Sequence, residues 1–208
     1  MTPRNLLFPY VYRFGQPVFD RLFYHRYRRE AMSNATGRLL MLGLGPGTDL
    51  RFLPAAVTSV AAVEPQVSFR RMAARLARRR GVAVDIVAGN GESIPFPDNS
   101  FDSVHIGLVL CSVDDVAATL DEIRRVLVPG GRLVVLEHVR GDGAMGRFQD
   151  LIAKPWSWLA GGCEPNRRTL DSIAAAGFDT TALRSIPRTP VPFPCKPHLQ
   201  GFATLNRR

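Results

Sequence analysis

The apolar run Arg38-Leu39-Leu40-Met41-Leu42 breaks into Gly43-Leu44-Gly45-Pro46-Gly47, and no other feature limits the possible folds of this chain so tightly. A short, continuously apolar segment is what a strand covered on both faces requires. Glycine tolerates left-handed backbone and leaves room for a close neighbour. Three glycines in five residues therefore make a tight turn at which a ligand can meet bare main chain. Asp49 to Leu53 then begins a helix, and the alternation continues down the chain. Val57 to Val63 reads as a strand, Gln66 to Arg80 as a helix, Val82 to Val87 and Phe101 to Leu108 as strands. Asp115 to Leu127 reads as a helix, Pro129-Gly130-Gly131 as a turn, and Arg132 to Val139 as a fifth strand. Strands alternating with helices predict an α/β fold, a parallel sheet with helices on both faces.

The flanks read differently. Gly15 to Ser33 has the spacing of a helix, with Val18, Leu22 and Phe23 on one face, and the aromatic stretch Leu6 to Tyr12 precedes it. Phe148 to Leu159 reads as a helix broken by Pro155, and Thr169 to Ala176 as a short helix. Phe178 to Ile186 and Leu199 to Leu205 read as strands joined by a proline-rich link. A chain of 208 residues suits one domain. It divides into an N-terminal helical arm or lid (1–36), a core (37–139) and a C-terminal part on the substrate side (140–208).

No stretch reaches the roughly 18 apolar residues of a membrane span, and the N-terminus lacks a secretory hydrophobic region, so a cytoplasmic location is expected. Cys111, Cys163 and Cys195 are widely spaced, and the four histidines form no close pair; no metal site is expected. The net charge of +9 is carried almost entirely by arginine. Arg13, Arg21, Arg26, Arg28 and Arg29 crowd one segment, and Arg70, Arg71, Arg75, Arg78, Arg79 and Arg80 another. A solvated basic face is the simplest reading of such runs, with anionic lipid or nucleic acid as alternative partners.

Glu64 ends the second strand, where a carboxylate can accept both hydroxyls of a ribose, so the glycine loop and Glu64 together suggest an adenosine-type ligand. The run Gly89-Asn90-Gly91-Glu92-Ser93-Ile94-Pro95-Phe96-Pro97-Asp98-Asn99-Ser100-Phe101-Asp102 follows the third strand. Arg125-Val126-Leu127-Val128-Pro129-Gly130-Gly131-Arg132-Leu133 precedes the fifth. With the glycine loop, these segments closely resemble the ordered signatures of the class I S-adenosylmethionine-dependent methyltransferases. The resemblance implies a Rossmann-like sheet of seven strands, mostly parallel with the last antiparallel, and S-adenosylmethionine as cofactor. It implies cofactor contacts from Gly43, Gly45, Gly47, Glu64, Pro65, Asn90, Gly91, Glu92 and Leu108. Two positions depart from the family pattern: Met41 stands where an acidic residue is usual, and Asn90 where Asp is usual. An asparagine can still hydrogen-bond adenine; a methionine cannot replace a carboxylate.

Leu110-Cys111-Ser112-Val113, Glu137-His138-Val139, Gly162-Cys163 and Pro197-His198-Leu199-Gln200-Gly201-Phe202-Ala203 occur in that order. They resemble segments of the methyltransferase-like alkyl-thiol S-methyltransferases and their bacterial relatives. That resemblance implies a small, apolar acceptor with a thiol sulfur as the leading choice. His138, at the carboxyl end of the fifth strand, and His198, opening the last one, are the catalytic candidates, since either imidazole can take or orient a proton. A structural, hydrogen-bonded histidine is the plainer alternative for each. Tyr10, Tyr12, Phe14, Phe19, Phe23, Trp156, Trp158 and Phe193 are candidates for an apolar lid that excludes water. Two rivals follow from the same residues: an N-methyltransferase for phospholipid or another amine at a membrane surface, and a binding protein that keeps the fold without the reaction. Nucleic acid is not the expected substrate, because Leu108-Val109-Leu110-Cys111 lacks the Asn/Asp-Pro-Pro-aromatic motif of amino-directed base methylation. The oligomeric state is not readable from the sequence.

Overall fold

A computed structural model describes residues 20–187 and 194–206. A π-helical turn, Asp20–Tyr24, leads into α1 (His25–Met32). β1 (Gly37–Leu42) runs into the glycine loop and a 3-10 turn, Thr48–Phe52. β2 (Val57–Val63), α2 (Val67–Arg80) and β3 (Asp85–Val87) follow. β4 (Phe101–Gly107), α3 (Val116–Val126) and β5 (Leu127–His138) complete the first half. The remainder is α4 (Gly143–Leu159), α5 (Thr169–Ala175), β6 (Phe178–Asp179), β7 (Leu183–Ile186) and β8 (His198–Leu205).

The sheet order is β3-β2-β1-β4-β5-β8-β6, with β7 also on β8. β1 to β5 are mutually parallel, and β8 is antiparallel to β5, β6 and β7. This is the expected Rossmann-like architecture with eight strands instead of seven. The single strand expected over Phe178 to Ile186 is two, because Asp179 accepts from the backbone N–H of Thr181 and Leu183 N–H bonds the Thr180 carbonyl, turning the chain between them.

Strand alternation sorts the core onto two faces. Leu40, Leu42, Val104, Ile106, Leu133 and Val135 pack with α3 and α5 residues on one face. Leu39, Met41, Ala62, Val134 and Leu136 pack with α1 and α2 residues on the other. Three expected boundaries move for local reasons. Val82 N–H closes the end of α2 on Ala77, so β3 starts later. Pro129-Gly130-Gly131 turns inside β5 as a bulge, shown by the register passing from Phe101–Leu127 to Ser103–Arg132. α4 continues through Pro155, whose ring deprives Leu151 of a helical partner, and exposed Leu151 can give that carbonyl to water. No helix among the described residues is long and apolar enough to cross a membrane.

Candidate active site

The parallel strands end together at one edge, and ligands of open α/β sheets bind beyond such carboxyl ends. Gly43, Gly45 and Gly47 all adopt positive φ there. A side chain at Gly43 would strike Val109 at 2.7 Å, whereas nothing lies within 4 Å of where a Cβ of Gly45 would stand. The Glu64 carboxylate, buried at the end of β2, accepts Gly45 N–H at 2.8 Å and Gln66 N–H at 2.9 Å. Burial pushes its pKa up, opposed by those two N–H groups and by Arg70. Arg70 in turn donates to the carbonyls of Glu64 and Pro65, both at 2.7 Å, which removes it from the solvated arginine run.

A carboxylate has about four lone-pair sites. Two backbone bonds therefore leave Glu64 the capacity that a ribose diol needs. With the bare backbone at Gly45 and the exposed amide of Asn90, these residues fit S-adenosylmethionine. Gly89 brings the neighbouring loop onto the end of β2, its Cβ direction meeting Val63 at 3.1 Å. Gly91 lies against Thr119 of α3, at 2.8 Å by the same measure. Glu92 is engaged elsewhere: its carboxylate accepts the N–H groups of Asp114 and Asp115, which ties the loop to the start of α3. Leu108 leaves β4 with φ 63°, its N–H on the Leu136 carbonyl.

Met41 is buried among apolar side chains. A second buried carboxylate next to the glycine loop is Asp49, which no sequence signal singled out. Arg28 donates to both its oxygens, at 3.0 and 2.8 Å, and also to Asp20 at 3.1 and 3.2 Å; His105 Nε2 lies 3.2 Å from Asp49 Oδ2. Although burial works to raise the Asp49 pKa, Arg28 and His105 hold it well below the usual carboxylate range. Arg28 thus departs from the expected basic surface and fastens α1 to the loop.

The edge of the sheet at the end of β5 and the start of β8 gathers residues that lie far apart in sequence. His138 and His198 pair across β5 and β8, with ring centroids 6.4 Å apart. His198 Nε2 shares a 2.8 Å hydrogen bond with the Tyr24 hydroxyl, and Tyr27 stacks on its ring. Burial, then the neighbouring His138, press the His198 pKa down to about 3, so its imidazole is neutral. Burial alone would lower the His138 pKa as well, but the Cys163 sulfur and Glu137 more than offset it and the net shift is upward. His138 Nε2 is 3.1 Å from Cys163 Sγ, and its buried Nδ1 has no hydrogen-bond partner among the described residues.

Cys111, Cys163 and His138 bring their ligand atoms within 4.8 Å of one another, and Cys195 lies close enough to Cys163 to interact with it. Widely spaced along the chain, these cysteines nevertheless converge in space. Sequence separation carries no information about loops that converge at one sheet edge. Of the lid candidates, Tyr10, Tyr12, Phe14, Phe19 and Phe193 lie outside the described residues, Phe23 packs against the α1-side core, and Trp158 of α4 is exposed.

A family model described as a methyltransferase domain matches residues 40–135. The chain is similar to thiol S-methyltransferase TMT1B of Rattus norvegicus, 33% identical over 171 residues, covering 79% of this chain and 69% of that protein. It is 41% identical over 130 residues to demethylmenaquinone methyltransferase of Mycolicibacterium paratuberculosis, covering 58% of this chain and 52% of the other. Among solved structures, a possible histamine N-methyltransferase of Thermotoga maritima superposes with a TM-score of 0.67 at 21% identity, covering 96% of this chain and 99% of that one. At that identity the likeness speaks for the fold alone.

Proposed function

This chain belongs to the class I S-adenosylmethionine-dependent methyltransferases, and from that premise we propose that its acceptor is a small apolar thiol, methylated on sulfur. The observation that carries this reading is the buried His138 imidazole at the carboxyl end of β5, one nitrogen against Cys163 and the other without a partner among the described residues. The likeness to TMT1B, a thiol S-methyltransferase by name, supports it.

When bound, S-adenosylmethionine supplies a methyl group made electrophilic by its sulfonium. Gly45 would offer it bare backbone, while Gly43 and Gly47 let the loop pack closely on Val109 and Ala73; Glu64 would accept the ribose hydroxyls and Asn90 would meet the adenine, with Pro65, Gly91 and Leu108 shaping the pocket around them. His138 Nδ1 takes the proton of the acceptor thiol: the S–H bond breaks as an N–H bond forms. The imidazolium so made lies against the Cys163 sulfur, whose pKa is held well below the ordinary thiol range by hydrogen bonds from Cys111 and Cys195 and by His138. His198, neutral and fixed by Tyr24, positions and does not titrate near neutrality. A free thiol has a pKa of about 8.5, so a small proton-accepting contribution suffices and orientation supplies most of the rate.

Incubating the protein with S-adenosylmethionine and a series of alkyl thiols should yield S-methyl products. His138→Asn should lower kcat/KM by roughly 100-fold and lose the pH-dependent limb that His138 contributes. Methylation of amines with no turnover of any thiol would overturn the reading. One observation favours a second reading, an amine acceptor at a lipid surface: Leu151, Trp158 and Leu159 of α4 are 78%, 59% and 58% exposed. Salt-sensitive binding to anionic vesicles, with phospholipid turnover, would support it.

A further inference from the structure

We propose that Cys111, His138 and Cys163 form a binding site for a thiophilic cation, with Zn2+ the ion that fits their chemistry. This goes beyond the methyl-transfer reading and engages Nε2 of His138; with an ion on Nε2 the neutral imidazole keeps its proton on Nδ1, so the metal-bound and proton-accepting states of His138 exclude one another. The three groups come from three separate segments: the loop after β4, the end of β5, and the link between α4 and α5. Their ligand atoms already lie within 4.8 Å of one another, and the His138 Nε2 to Cys163 Sγ distance is 3.1 Å. Tetrahedral zinc holds sulfur at about 2.3 Å and nitrogen at about 2.0 Å, which sets its ligands roughly 3.5 Å apart. Small rotations of the cysteine side chains would reach that geometry.

The backbone beneath the trio is locked in place. Glu164 N–H, next to Cys163, bonds the Cys111 carbonyl at 2.7 Å. Arg167 donates to the carbonyls of Leu110 and Val113, and buried Glu137 accepts the N–H groups of Val109 and Leu110 at 2.6 and 2.9 Å. Preorganisation of this kind lowers the cost of assembling a site. The charge also balances: two thiolates, a neutral imidazole and a dication sum to zero, so the loaded trio carries no net buried charge. Three protein ligands and one position left over is the pattern of zinc sites that exchange a ligand. The ion would pin together three of the loops that wall the acceptor side.

The test is a Co2+ titration of the reduced, chelator-stripped full chain, followed by displacement with Zn2+. One equivalent should produce a sulfur-to-cobalt charge-transfer band and the intense visible bands of a tetrahedral site. One equivalent of Zn2+ should abolish both, with a dissociation constant below about 0.1 µM. Cys111→Ser, Cys163→Ser and His138→Asn should each weaken Zn2+ binding by more than about 100-fold, with folding checked by retained S-adenosylhomocysteine binding. Cys195→Ser, outside the trio, should keep the bands; their loss would overturn the three-ligand set. Absence of the charge-transfer band in folded wild-type protein overturns the site whatever the variants do. Cobalt uptake without turnover of any thiol would leave this inference standing and sink the thiol reading. Thiol methylation by stripped protein that takes up no cobalt would do the reverse.

Discussion

Burial moves Glu137 and His198 in opposite senses. Burial, partly opposed by the Val109 and Leu110 N–H groups and His138, leaves the Glu137 carboxyl at about 7; His198 is pressed down to about 3. A carboxyl whose pKa rises on folding contributes stability that is complete below its unfolded value near 4.5 and is lost as pH rises through about 7. A depressed histidine does the opposite: its contribution is complete above about 6.5 and is lost as pH falls toward 3. Moving a pKa by one corresponds to about 1.4 kcal/mol, so either group alone changes stability by a few kcal/mol over its window. Between about pH 4.5 and 6.5 the two oppose each other. Urea midpoints measured across that range should show Glu137→Gln steepening the acid-side loss and His198→Gln reversing it. Unchanged profiles in both variants would mean that neither group keeps its burial in solution.

The sharpest dependence between elements is the ion cluster through which α1 holds the turn after β1. Arg28 lies between Asp20 and Asp49, all three buried, with His105 of β4 completing the set. Removing one member of a buried cluster leaves a charge without compensation, at a cost of about 3–5 kcal/mol. Arg28→Met should therefore lower stability by that amount in chemical denaturation. It should also weaken S-adenosylhomocysteine binding, because the glycine loop precedes Asp49 directly. Arg28→Met combined with Asp49→Asn should recover part of the loss; no recovery would show that Arg28 acts through packing. A similar role falls to Arg125, which reaches Glu122, Asp98 and the carbonyls of Ile94 and Phe96. It joins the two signature segments that look unrelated in sequence. Asp102, the last residue of the first, binds the backbone and guanidinium of Arg38 at the start of β1. Much of the family signature thus braces the loop that carries Asn90.

At the scale of the molecule, cofactor and fold are linked. A ligand bound only by the native state stabilises it by about 2.7 kcal/mol at a hundredfold excess over its dissociation constant. In a domain of this size each kcal/mol shifts Tm by about 2–4 °C. Saturating S-adenosylhomocysteine should therefore raise Tm by roughly 5–10 °C, and Glu64→Ala should remove most of that rise. An equal rise in the variant would place the ribose contact elsewhere. The glycine loop and Glu64 sit at the ends of adjacent strands, whereas the cluster around His138 is built from segments as distant as Tyr24, Cys111, Cys163 and His198.

That division explains what each level of description determined. Glycine spacing, strand-helix alternation and the carboxylate of Glu64 were legible from the residues because they are local: each depends on a few neighbours and on the backbone conformations those permit. The sequence alone determined the parallel sheet and the strand-end position of the glycine loop, and resemblance of its ordered motifs to the family supplied the methyl-transfer chemistry. Tertiary structure decided that Asp49 lies buried beside the glycine loop, that Arg28 leaves the surface to meet it, and that Glu92 serves the start of α3. It also decided that three scattered cysteines and His138 share one edge of the sheet. Those facts turn on which loops converge after the strands are ordered, and burial and charge compensation act on that convergence through space, where separation along the chain has no bearing.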